Sequence, residues 1–98
     1  DQVRLQRFID LFLTKVPVSI QSLQEALKNG DYEKIRIASH SMKPQLRFTG
    51  VLQGLDLAEA IEQCCNENAG LDQLPGLIAQ LAAVCDQAIA ELKKVEVQ

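Results

Sequence analysis

Ninety-eight residues, 47% hydrophobic and 23% charged, have the composition of one globular domain spanning 1–98 rather than of a disordered chain. That length excludes a nucleotide-binding fold joined to a substrate domain, so any chemistry must be simple or shared with a partner. A net charge of −3 argues against a nucleic-acid partner, yet the charge is unevenly spread. Residues 1–50 carry eight basic and five acidic side chains, residues 51–98 two and eight.

Cys64, Cys65 and Cys85 form no CxxC pair and no ligand cluster with His40, the single histidine. They read as small core hydrophobes, with neither a disulfide framework nor a metal site expected. The longest near-apolar stretch, 77–84, already contains Gln80, so no membrane insertion is expected, and no signal peptide is visible. An opening Asp1 in place of Met reads as a domain cut from a longer protein, and a reducing cytoplasm fits the free cysteines.

The apolar residues recur at helical spacing throughout, and no stretch alternates as a half-buried strand would. Leu5, Phe8, Ile9, Phe12 and Val16 form a first stripe, continued nearly in phase by Ile20, Leu23 and Leu27. Pro17 between them is either a kink or the first position of a second helix, which leaves room for an extra N-terminal helical segment. Gly30 suits a C′ position and Asp31 an N-cap. The next helix uses Tyr32, Ile35, Met42 and Leu46 and ends at Thr49-Gly50. A third carries Val51, Leu55, Ala58, Ile61 and Cys65 and closes between 66 and 70. Leu74, Leu77, Leu81, Val84, Ala88, Leu92 and Val95 make a final stripe. Short connections between long amphipathic segments predict an all-α, antiparallel up-and-down four-helix bundle.

The informative segment is 31–50. On a helical wheel Tyr32, Ile35, Ser39, Met42 and Leu46 share the core side, while His40 points outward beside Arg36, Lys43 and Arg47. Ile37, Pro44 and Phe48 lie on its other flank as exposed apolar residues. Positive neighbours favour an uncharged ring, an exposed uncharged imidazole is a nucleophile, and cations stabilise anionic charge arriving at it. An apolar rim suits a docking protein. The arrangement describes an acceptor for a phosphoryl group; a surface histidine among solvated cations is the alternative reading. Ser39 and Ser41 lack a base at helical spacing, and Asp56, Glu59, Glu62 and Glu67 read as a solvated face of the third helix.

Ala38-Ser39-His40-Ser41-Met42-Lys43, with Gly50 ten positions beyond the histidine, resembles the histidine-containing phosphotransfer (HPt) domain family. His40, Met42, Lys43 and Gly50 match its pattern, and Phe12, Pro17, Leu23, Ala26-Leu27 and Asp31 resemble the helix before it. Pro44 departs from the pattern, which has glycine there. The resemblance implies a phosphorelay intermediate, in the setting of a hybrid sensor histidine kinase. His40 would accept the phosphoryl group from a response-regulator receiver aspartate and pass it to another. Lys43 would offset phosphate charge, with Arg36 and Arg47 as weaker candidates; Ile37, Pro44 and Phe48 are docking candidates or ordinary packing. No cofactor is implied for this chain, Mg²⁺ being expected on the receiver, and a monomer is expected. The sequence holds no GxxxxGKS/T or GxGxxG loop, so no ATP site and no autophosphorylation are expected. One rival is a sensor-kinase dimerisation and histidine-phosphotransfer domain, whose motif Ser41 and Pro44 fit poorly. The other is a non-catalytic helical adaptor.

Overall fold

The computed structural model describes residues 2–97, and side chains as far as 95. Four α-helices follow one another: α1 (Gln2–Asn29), α2 (Tyr32–Phe48), α3 (Leu52–Glu67) and α4 (Leu74–Val97), with a 3-10 turn at Leu71–Gln73 leading into α4. Sequential helices pack side by side and α4 returns to α1, closing an up-and-down bundle. The bundle measures 43 × 19 × 18 Å. Helix α1, at about 1.5 Å per residue, runs its whole length.

Pro17 lies inside α1, which is unbroken, so the extra N-terminal segment is not a separate element. The ring stands on the exposed side, while Phe12, Val16, Ile20 and Leu23 are buried on both sides of it. Burial of that stripe outweighs the one backbone hydrogen bond the proline removes. The turn into α2 forms as the sequence predicts. Gly30 takes φ +66°, Asp31 N–H donates to the Ala26 carbonyl at 2.8 Å, and the Asp31 side chain accepts from Lys34 N–H at 3.1 Å.

Phe12, Leu23, Ile35, Met42, Leu46, Ile61, Leu74, Ile78 and Leu81 fill the centre. Several expected core residues are displaced from it. Leu5 and Tyr32 are exposed because each sits near a helix start at an end of the bundle. On α4 the buried line is Leu74, Ile78, Leu81, Cys85 and Ala88, whereas Leu77, Val84 and Leu92 are half-buried and Val95 is exposed. At about 100° per residue Leu77 and Val84 stand to one side of the line through Leu74, Ile78, Leu81 and Cys85, and Leu92 and Val95 lie in the last turns of α4. Cys85 is wholly buried, and burial, with Asp86 adding to it, pushes its thiol up to about 12. Cys64 and Cys65 are half-buried against the same core.

Candidate functional site

Helix α2 offers its buried side through Ile35, Ala38, Ser39, Met42 and Leu46. That register turns His40 outward, with 65% of its side chain exposed. The turn after α2 fixes what lies opposite. Gly50 at φ +74° and the Val51 N–H on the Leu46 carbonyl at 2.9 Å reverse the chain, so α3 runs back antiparallel along α2. Position 51 is midway between 40 and 62, and the reversal brings Glu62 of α3 beside His40.

Glu62 is the centre of the site. Its Oε2 lies 2.6 Å from His40 Nδ1, and its Oε1 accepts from Lys43 Nζ at 2.6 Å. Only 13% of the glutamate side chain and 20% of the Lys43 side chain are exposed. The Lys43 hydrogen bond, helped by the one to His40, holds the Glu62 carboxyl below the usual carboxylate range against the opposing effect of burial. An ionised carboxylate only accepts, so Nδ1 carries the proton and donates it. In the uncharged ring this leaves the lone pair on Nε2, at the solvent side. The arrangement can present a fixed, outward nucleophile whose tautomer is set from behind.

Sequence reasoning assigned Glu62 to a solvated acidic face, and this is the residue it missed. The discoverable signal was the antiparallel pairing of 40 with 62 about the 49–51 turn, together with Glu62 following the core residue Ile61. The expected ring of free cations is also corrected. Lys43 is committed to Glu62. Arg36 is committed to Glu33, through contacts of 2.6 and 3.1 Å, on the exposed side of α2. Its hydrogen bonds, with a smaller effect of its charge, lower the Glu33 carboxyl, and those same bonds raise the guanidinium. Arg47 is exposed with no ion pair among the described residues. The ion-pair partner of His40 among the described residues is thus the Glu62 carboxylate rather than a cation.

The apolar candidates lie on the α1 side of His40. Ile37 (52% exposed) borders a groove between α1 and α2 with Val18, Ser22 and Ser41. Pro44 is exposed within an unbroken α2. Phe48 is 63% exposed and stacks on Phe8 of α1, with ring centroids 5.1 Å apart, so one face of it is packed and the other open. Ser39 is buried and donates to the Arg36 carbonyl; Ser41 donates to the Ala38 carbonyl. No group of three or more His, Cys, Asp or Glu suited to a metal ion occurs among the described residues. None of the described helices is long and apolar enough to cross a membrane.

A family model, the Hpt domain, matches residues 7–92 of the chain, including both helices that build the His40 site. No curated protein and no solved structure matches significantly.

Proposed function

The chain belongs to the Hpt domain family, whose members carry out histidine phosphotransfer in two-component signalling and interact with response-regulator receiver domains; we propose that it is a relay intermediate whose phosphoacceptor is His40. The observation that carries this reading is the His40–Glu62 contact. It leaves Nε2 as the free, exposed nitrogen of the only histidine in the sequence.

In the proposed step a receiver bearing an aspartyl phosphate docks over α2, and Nε2 attacks phosphorus in line. The N–P bond forms as the P–O bond to the aspartate breaks, and that bonding pair leaves on the aspartate carboxylate. The ring gains positive charge while its proton stays on Nδ1, where Glu62 offsets the charge. The same geometry run in reverse delivers the phosphoryl group to an aspartate of a second receiver. Phosphoryl transfer demands little of a protein beyond positioning and charge stabilisation, and those are what Glu62 and Lys43 supply. Lys43 holds the carboxylate in place and adds positive charge where phosphoryl oxygens arrive. Arg36 and Arg47 add a more distant positive field. Ile37, Pro44 and Phe48 form the apolar part of the docking face, and Mg²⁺ belongs to the receiver.

All four helices close around one core within a single chain, which favours a self-contained, monomeric relay module over a bundle assembled from two helical hairpins. The test is incubation with a ³²P-labelled phosphoreceiver. The expected result is acid-labile, base-stable label on this chain, abolished by His40→Gln with helix content unchanged. Label that survives the substitution rules His40 out, and no label on the wild type favours the inert adaptor.

A further inference from the structure

Pro44 is exposed inside α2, one turn beyond the imidazole. Proline has no N–H, so the His40 carbonyl oxygen lacks its helical donor. Neighbouring hydroxyls do not replace it, since those of Ser39 and Ser41 go to the Arg36 and Ala38 carbonyls at 3.0 Å each. His40, Ser41 and Pro44, which flank this carbonyl along α2, are all exposed, and a backbone oxygen without a protein donor needs one from solvent or from a partner.

A partner that reaches Nε2 must cover the same spot. Residues four apart on a helix have Cβ atoms about 5–6 Å from each other, and transfer needs the reacting atoms within about 3.5 Å. The receiver therefore lies over position 44. The ring there is rigid and cannot swing aside as a longer side chain would. It continues an apolar surface with Ile37 and the open face of Phe48.

Resting on the reading of His40 as phosphoacceptor, we propose that Pro44 determines which receivers this domain accepts, by making the His40 carbonyl oxygen a second recognition point beside a fixed apolar ring. An accepted receiver brings a hydrogen-bond donor to that oxygen and apolar surface to the ring. A receiver without the donor strips water from the oxygen and leaves it unpaired, a loss worth about tenfold or more in association.

Pro44→Ala tests this, because alanine restores the N–H, closes the His40 carbonyl within the helix and removes the ring. The measurement is the second-order rate constant for transfer from each of several receiver domains phosphorylated with acetyl phosphate, with circular dichroism to confirm that α2 persists. The expected result is that Pro44→Ala narrows the ratio between the fastest and slowest receivers by about tenfold, slowing the fast and speeding the slow. A common factor for all receivers, or no change in any, overturns the role of Pro44 while leaving His40 as acceptor. A wild type that takes label from no receiver overturns the acceptor reading itself, and this proposal with it.

Discussion

Glu62 couples the two residues that the sequence motif singles out, and its effect should appear in the chemical step more than in docking. It is mostly covered and stands behind the ring rather than on the partner's side. Glu62→Gln keeps an acceptor for Nδ1–H but loses the charge. It should lower the maximal transfer rate about tenfold or more, with receiver affinity little changed, as measured by rapid-quench transfer at varied receiver concentration. The carboxylate also links stability to pH. Its folded-state pKa is lowered, so the stabilisation it gives is present above about 4.5, the ordinary carboxylate value, and is lost as pH falls through the lower folded value. The difference in Tm between wild type and Glu62→Gln should be largest near neutrality and fade below pH 4.5; a difference independent of pH would contradict it. Of the two outlying cations, Arg47 is unpaired among the described residues and Arg36 is held by Glu33. Arg47→Ala should therefore weaken receiver association more than Arg36→Ala, measured by titration of an unphosphorylated receiver. The outward placement of His40 beside Lys43 was legible because their spacing lies on one helix. The contact of both with Glu62 was not, because it arises from the pairing of two helices.

At the scale of elements, helix ends and close approaches decide where the site stands. Asp31 caps α2 through Lys34 N–H, and Asp31→Ala should cost about 1 kcal/mol in thermal or denaturant unfolding. Gly54 lets the start of α3 press against α2: a Cβ there would meet Leu46 Cδ2 at 2.9 Å and Val51 Cγ1 at 3.2 Å. Leu46 is fully buried and has little room to yield. Gly54→Ala should thus be destabilising by about 1 kcal/mol net, overpacking outweighing the gain in helix propensity; a stabilised variant would contradict the tight α2–α3 contact. The helices themselves were legible from apolar period and turn residues. The register of α4 was not, since its apolar residues outnumber the places its buried side offers. Leu77, Leu81, Val84 and Ile78 satisfy two stripes equally well on paper, and packing against both α1 and α3 selects the line through Ile78 and Cys85. Tyr32 misled for another reason: periodicity places it on the core side, but it is the first residue of α2, at the end of the bundle, and remains exposed.

Over the whole molecule, the unequal halves of the sequence become two differently charged sides. The pair α1–α2 carries most of the basic residues and the pair α3–α4 most of the acidic ones, with Glu62 at their junction. If the receiver docks on the α1–α2 side, as proposed, the basic charge there speeds association with a receiver that presents acidic groups, and does so less as salt rises. Transfer at limiting receiver should slow between low and high ionic strength, while the rate at saturating receiver changes little. The two-sidedness was legible as a difference between halves of the chain, though only the bundle reveals that the halves form opposite sides. Central to the account is an imidazole held at Nδ1 and reactive at Nε2. The most direct measurement is ¹⁵N–¹H NMR of the phosphorylated, ¹⁵N-labelled domain, which distinguishes the two phosphohistidine isomers. Phosphoryl on Nε2 of His40 alone is the expected result; phosphoryl on Nδ1, or on any other residue, would contradict it.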